Sequence, residues 1–374
     1  MENNILLHKF YYNWWKNIDK FIFSIIILLF LIGLFFSLVS TSLVASDKLD
    51  MNDYSFFFKH LIFIILGIFV IIFFSSIDQK KLFNLSLVIF LISLAFLFLV
   101  PVLGIEVKGS KRWIDLYLLP RFQPIELVKP FLIVFVSLIL GSQKYSNIYL
   151  KYLVTFLVTS LIAILLVMQP DIGQTILVFF SWAILIFTSG INIFFLMTLF
   201  LIITFLFLYL IFFVSKFIYI KNRILSFFDS ESGTHNFQSD KAIDSITSGG
   251  FFGKGIGEGT LKNMVPEAHT DYIISVISEE FGVVAIILIL FLFLIFIHTV
   301  FKKVNLENEE RVKLILTGCV SLILMQAMIH IGVNIRLFPT TGMTLPYISY
   351  GGSSIISTSI LSGIILNLTR RRIN

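Results

Sequence analysis

What most constrains this chain is a recurrence of predominantly apolar runs of about 20 residues, the length a helix needs to cross a hydrocarbon core of roughly 30 Å. Ten such runs lie near residues 21–45, 58–75, 82–104, 126–141, 150–168, 172–189, 192–215, 272–300, 312–337 and 346–369. They are continuous rather than alternating, which excludes a transmembrane β-barrel. Hydrophobic residues make up 57% of the chain and charged residues 13%, with a mean hydropathy of +0.97. A soluble protein could not hide that many apolar segments. The expected fold is an all-α polytopic membrane protein with about ten transmembrane helices, read as a single membrane domain over residues 1–374. The first run follows an aromatic, basic stretch (Lys9, Tyr11, Trp14, Trp15, Lys16, Lys20). It is too long for a signal-peptide core, so it reads as a retained span.

An even number of spans puts both termini on one side. Lys80, Lys81, Lys144, Lys151, Lys302, Lys303 and Arg370 to Arg372 fall on that side, which the positive-inside rule makes cytoplasmic. The opposite side still carries Lys108, Lys111, Arg112 and Arg121. Basic groups on the disfavoured side are either a solvated loop face or a site that needs cations. The net charge of +6 suits anionic lipid headgroups better than nucleic acid, which would want a clustered basic face. The sole cysteine, Cys319, lies in an apolar run and permits no intramolecular disulfide.

Two extracytoplasmic segments exceed what a connector needs. Residues 108–124 mix basic groups with Trp113, Tyr117 and Phe122, a composition suited to the membrane interface. The second is the large loop between helices 7 and 8, residues 216–271; loops of this length are usually functional or disordered. Its end carries glycines at 249, 250, 253, 255, 257 and 259, then Pro266-Glu267-Ala268-His269-Thr270-Asp271 just before an apolar helix. A carboxylate there sits at headgroup level, a suitable address for chemistry on a lipid-linked substrate. The glycine run lacks the preceding strand and spacing of a nucleotide-binding fingerprint, and implies only a loop able to approach a ligand closely. His269 with Glu267 and Asp271 at alternate spacing is weak evidence for a metal, and no protein-held metal is expected.

Inside the membrane, Glu126 and Lys129 are three apart on one helix face and can neutralise each other. Such charges cost on the order of 2.5–3.5 kcal/mol on insertion scales, so they face the bundle interior or a water-filled cavity. Gln326, His330 and Asn334 form a stripe that reads as interhelical hydrogen bonding or as the wall of a site. Asp171 beside Pro170 is either a satisfied helix end or part of a polar pocket.

The chain resembles the SEDS family (shape, elongation, division and sporulation) of polytopic peptidoglycan glycosyltransferases over nearly its whole length. The resemblance rests on Lys111-Arg112-Trp113-Ile114, Phe122-Gln123-Pro124 with Glu126 and Lys129, Gln169-Pro170-Asp171, Ser248-Gly249-Gly250, Gly253-Lys254-Gly255, Pro266 to Asp271, and Glu279-Glu280-Phe281-Gly282. It extends through Pro339-Thr340 and Leu345-Pro346 to Ser349-Tyr350-Gly351-Gly352-Ser353-Ser354. Ala268 and the wording from Thr344 to Tyr350 are closer to the division subgroup than to the elongation subgroup.

The resemblance implies extension of glycan strands from lipid II at the outer face of the bacterial cytoplasmic (inner) membrane, at the division septum. Asp271 matches the family's essential aspartate and takes the role of catalytic base. Lys111, Arg112 and Lys129 are implied as partners of the pyrophosphate, and Trp113, Glu126, Glu267, His269 and Ser353 as further substrate-binding residues. A divalent cation such as Mg2+, bound with substrate, is the only cofactor implied. Partners would be a class B penicillin-binding transpeptidase, other division proteins and membrane lipids, with no nucleic acid. The sequence departs from the family at Ile125, in the middle of the large loop, at Thr341 (commonly lysine in the division subgroup) and at Arg336 (usually a small residue). Arg336 is therefore a candidate stand-in for the missing lysine. A lipid II flippase is the alternative function, and a scaffold without catalysis a weaker third.

Overall fold

A computed structural model describes residues 12, 14–41, 54–107, 109–115, 120–143, 147–214, 217–228 and 237–370. Lys9, Tyr11, Lys108, Tyr117, Lys144, Arg371 and Arg372, invoked above, lie outside the described residues.

The order of elements is α1 (Lys20–Thr41), α2 (Ser55–Ser76), α3 (Gln79–Leu103), β1 (Ile105–Val107), β2 (Ser110–Trp113), α4 (Pro124–Leu140), α5 (Ile148–Met168), α6 (Ile172–Thr188), α7 (Ile193–Phe213), α8 (Ile218–Phe228), α9 (Phe237–Gly249), a 3₁₀ turn (Leu261–Met264), α10 (Ile273–Leu306), α11 (Glu310–Asn334) and α12 (Gly352–Leu368). Among the described residues, α1, α2, α3, α5, α7, α10 and α11 are long and apolar enough to cross a membrane, and α6 and α12 are shorter apolar helices. The protein is an all-α polytopic membrane protein with one small antiparallel hairpin.

Polar residues set several helix starts. Asn147 accepts from the amides of Tyr149 and Leu150 at α5, Asn192 from that of Phe194 at α7, and Asp171 from that of Gln174 at α6. The break at Gln169-Pro170-Asp171 is real: α5 ends at Met168 and α6 begins at Ile172. At the other face of the bundle, the carbonyls ending α4 are capped by cations: Lys151 Nζ donates to Leu140 O (3.0 Å) and Arg311 Nε to Gly141 O (3.2 Å).

Helix α12 is buried along most of its length, and its small residues make this possible. A Cβ on Gly363 would sit 2.7 Å from Cβ of Phe74, one on Gly352 2.4 Å from the Phe63 ring, and one on Gly67 2.5 Å from Ser359 Oγ. Helices α2 and α12 therefore approach at the distance that small residues permit in a membrane. Helix α11 is likewise mostly buried, whereas in α7 Ile211 alone is buried and the rest is half-buried or exposed.

The structure moves one helix boundary and adds detail to two segments that the sequence marked as more than connectors. The segment before α4 is a β-hairpin, pairing Glu106 with Lys111 and Val107 with Ser110 around Gly109 at φ 77°, rather than a simple interfacial stretch. Helix α12 begins at Gly352 instead of residue 346, because Pro346, Tyr347 at φ 67° and the extended Gly351 keep that stretch out of the helix. The large loop carries two helices, α8 and α9, before its glycine run.

Candidate active site

The glycine run does not lie open toward a ligand, as the sequence suggested; it wraps a break in α10. Gly282 has φ 74° and ψ −178°, which divides α10 into two helical pieces. Such a break orphans backbone carbonyls. The amides of Lys254 and Gly255 donate to the carbonyls of Glu279 (2.8 Å) and Glu280 (3.1 Å), and Val283 N donates to Gly250 O (3.0 Å). Only glycine allows this approach: a Cβ on Gly253 would lie 2.2 Å from Glu280 O, and one on Gly282 2.1 Å from Phe251 O.

The buried carboxylates of Glu279 and Glu280 bind the rest of the wrap. Glu279 accepts from Lys254 Nζ (3.1 Å), Leu261 N (2.9 Å) and Ser245 Oγ (3.0 Å), and Glu280 pairs with the buried ammonium of Lys262. The Glu279-to-Gly282 motif is thus an anchor for the segment that delivers Asp271.

Asp271 ends a tight turn. The amides of Thr270, Asp271 and Tyr272 all donate to Glu267 O, at 3.0, 3.1 and 3.3 Å, with Glu267 itself at φ 56°. The stripe on α11 then fixes the surroundings. Asn334 Nδ2 donates to Asp271 O (3.0 Å), His330 Nδ1 to Met343 O (2.7 Å) and Gln326 Nε2 to Thr344 O (3.0 Å). Read from the sequence as glue or wall, the stripe acts as glue: it fastens the connection between α11 and α12 beneath Asp271, and its three residues do not line the cavity themselves. Gly342, at φ 70°, brings backbone against the carboxylate, a Cβ there lying 3.5 Å from Asp271 Oδ2.

Asp271 lines a cavity of about 570 Å³. The hairpin supplies one wall. Successive strand residues point to opposite faces, so Arg112 turns into this cavity and Lys111 away from it into a smaller one. Arg112 Nε donates to Gln169 O (3.1 Å), its Nη2 donates to Pro170 O, and its Nη1 lies 3.7 Å from Asp171 Oδ2. The same Asp171 oxygen accepts from Gln123 Nε2 (3.0 Å). Arg112 thereby ties the hairpin to the α5–α6 break.

From the large loop, Arg223 on α8 reaches the cavity and donates to Thr340 Oγ1 from Nε (3.0 Å) and Nη2 (2.8 Å). Below lies a buried network. Lys129 Nζ donates to Glu126 Oε1 (2.8 Å) and Gln326 Oε1 (3.2 Å), and Gln174 Nε2 donates to the same Glu126 oxygen (2.8 Å). Ser353 Oγ accepts from Gln123 N (3.1 Å) at the start of α4.

Of the residues singled out from the sequence, Arg112, Trp113, Glu126, Glu267, Asp271 and Ser353 line the one cavity. Lys129 supports its floor through Glu126. His269 packs its ring on Phe56 (4.5 Å between centroids) and faces Tyr350, itself a lining residue. Two residues stand elsewhere: Lys111 on the far face of the hairpin, and Arg336, whose Nη1 is held 2.6 Å from Asp240 Oδ1 of α9. Sequence reading missed Arg223, Gln174 and Tyr272. Gln174, one turn after Asp171, was within reach of a helical-spacing argument. Nothing in the sequence pattern shows that α8 folds back onto Thr340.

Fold and cavity together define a multi-pass membrane protein with a chamber at the ends of its helices lined by the arginines Arg112, Arg121 and Arg223 and the carboxylates of Glu126, Glu267 and Asp271. Residues 19–374 match the family model FtsW/RodA/SpoVE, described as "Cell cycle protein", and the chain belongs to that family. The chain is 31% identical to the "Probable peptidoglycan glycosyltransferase FtsW" of Caulobacter vibrioides, covering 96% of this chain and 91% of that one. It is 33% identical to the protein of the same description from Geobacter metallireducens, over 89% of each. Among solved structures, a chain of a peptidoglycan synthase complex that coordinates polymerization and crosslinking superposes with a TM-score of 0.74 at 22% identity, covering 94% of this chain and 97% of that one. The rod shape determining protein RodA of Thermus thermophilus gives 0.67 at 24% identity, covering 94% and 96%. These two likenesses concern the fold.

Proposed function

We propose that this protein is a peptidoglycan glycosyltransferase that polymerises lipid II during septal wall synthesis, with Asp271 as catalytic base. The observation that carries the reading is the placement of Asp271 in one chamber with Arg112 and Arg223, at the end of α10 where the chain enters the membrane. Curated relatives described as peptidoglycan glycosyltransferases support it.

In this scheme an acceptor sugar hydroxyl attacks the anomeric carbon of the donor while its proton passes to the Asp271 carboxylate. The bond from that carbon to the pyrophosphate oxygen breaks, with inversion. Pyrophosphate is a good leaving group and needs little protonation, so the demand is for cations where its charge develops. Arg112 and Arg223 answer it, because a guanidinium binds phosphate through paired N–H groups. Arg336 does not take this place; it holds α9 through Asp240.

Among the described residues no three His, Cys, Asp or Glu side chains converge on a metal site. A divalent cation such as Mg2+ would therefore be held by one or two of the lining carboxylates together with the substrate's phosphates, its usual manner of binding. Beneath the Glu126–Lys129 network, Ile133, Val136, Leu316 and Cys319 are almost wholly buried. That dry packing favours chemistry at one face over carriage of a headgroup across the bundle. We also place ten crossings, both termini in the cytoplasm, residence in the inner membrane at the septum, and a class B penicillin-binding transpeptidase as partner within this proposal. Glycan-strand synthesis from purified protein, partner and lipid II tests the reading; transport of lipid II across vesicles without strand formation would favour the flippase.

A further inference from the structure

The far face of the hairpin forms a second cavity, of about 270 Å³, between the ends of α3 and α5. Its polar lining comes from Glu106, Ser110, Lys111 and Gln169. Glu106 and Lys111 are in-register partners on β1 and β2, so their side chains share one face. Both are exposed, and neither makes an ion pair among the described residues. Gln169 is only 3% exposed, and its Nε2 is a buried donor without a hydrogen-bond partner, a cost that a native fold normally avoids. Its apolar lining includes Pro101 and Met168; Met168 is 49% exposed, and Val102 (77%) and Leu103 (59%), next to Pro101 at the end of α3, continue an apolar edge suited to lipid.

We propose that this cavity binds the headgroup of a zwitterionic membrane phospholipid bearing a primary ammonium, of the phosphatidylethanolamine kind. Size excludes a disaccharide-peptide, since pockets for drug-sized ligands begin at about 300 Å³. The charge layout selects the headgroup. The Lys111 ammonium donates to the phosphate, the Glu106 carboxylate accepts from the ammonium, and the acyl chains run down beside Leu103 and Met168. Ser110 lines both cavities, and Gln169 and Pro170 also hold Arg112 through their carbonyls. A bound lipid thus braces the strand that presents Arg112 to the main chamber.

The test is native mass spectrometry of the full-length protein, without substrate, after exchange into micelles containing equimolar phosphatidylethanolamine, phosphatidylcholine and phosphatidylglycerol. The wild type should retain one phosphatidylethanolamine, preferred roughly tenfold, the worth of one charge-assisted hydrogen bond. Lys111→Ala should lose that copy and Lys111→Arg should keep it. Glu106→Gln should retain phosphatidylethanolamine and phosphatidylcholine equally, because a trimethylammonium offers no N–H to the carboxylate. Equal retention of the three lipids by the wild type, a preference for phosphatidylglycerol, or undiminished phosphatidylethanolamine on Lys111→Ala would overturn the proposal. Since no substrate is present, the outcome is independent of whether the main chamber polymerises lipid II.

Discussion

Replacing Lys129 with methionine isolates the energetics of the charge pair beneath the chamber. The Lys129 side chain is 0% exposed and that of Glu126 5%, with 2.8 Å between Nζ and Oε1. Methionine keeps the volume and removes the ammonium. Glu126 is then left with the Gln174 amide as its remaining donor to Oε1, while Oε2 has no hydrogen-bond partner even in the native protein. Breaking a buried pair from one side costs about 3–5 kcal/mol, because the surviving charge is uncompensated. Replacing both partners by neutral groups of similar shape is often nearly neutral. Lys129→Met should therefore lower the unfolding temperature of the purified protein by on the order of 5–10 °C, and Glu126→Gln with Lys129→Met should recover most of the loss. Thermal unfolding of the four proteins of this cycle in a single detergent provides the measurement. A single variant as stable as wild type, or a double variant no better than Lys129→Met, would refute the view that the pair matters through mutual neutralisation.

Gly253→Ala should prevent the glycine loop from closing on the α10 break, since its Cβ would lie 2.2 Å from Glu280 O at a φ of 78°. Limited proteolysis should then cut between residues 250 and 260 at protease levels that leave wild type whole. Arg223→Ala should slow strand synthesis by about tenfold or more, and Arg223→Lys should keep an intermediate rate because it restores charge without the paired N–H groups; initial rates with lipid II decide this. Asp19 lies 2.9 Å from Lys303 at the opposite face of the bundle. Burial raises its carboxyl, but the Lys303 ammonium and the amides of Ile22 and Phe21 outweigh this and hold it below its ordinary value. A depressed carboxyl contributes stability above its unfolded pKa and loses it as pH falls. Asp19→Asn should accordingly cost up to about 1 kcal/mol at pH 7, and the gap from wild type should close below about pH 4.

The lipid-facing helices were the most legible part of the sequence, because in hydrocarbon the apolar length of a segment is itself the structural signal. Charges were harder to place. Glu126 and Lys129 announced their pairing by helical spacing, and Asp271 its importance by its position before α10. Lys111 and Arg112 looked equivalent, yet a two-residue period sends neighbours to opposite faces, and only a recognised strand would have separated them. Arg336 looked like a cation for substrate, but its partner, Asp240, is distant in sequence and belongs to a loop helix that no periodic apolar pattern marked. The glycine run misled for a related reason: glycine reports close approach without naming the approaching group, which here is the α10 backbone. Arg223 reaches Thr340 across 117 residues of sequence, a contact fixed only by tertiary packing.

The role given to Asp271 is tested by strand synthesis from lipid II with purified Asp271→Asn protein and its transpeptidase partner, beside wild type at equal concentration. Asparagine keeps the size of the side chain and its hydrogen-bonding reach but cannot take up the acceptor's proton, and base catalysis is typically worth about 10²–10⁴-fold. The predicted result is a loss of that order in strand formation, with the melting temperature, lipid II binding and partner association of wild type retained. Strand synthesis by Asp271→Asn at near wild-type rate would contradict it, and would leave the chamber lined by Arg112, Arg223 and Glu267 without its catalytic base.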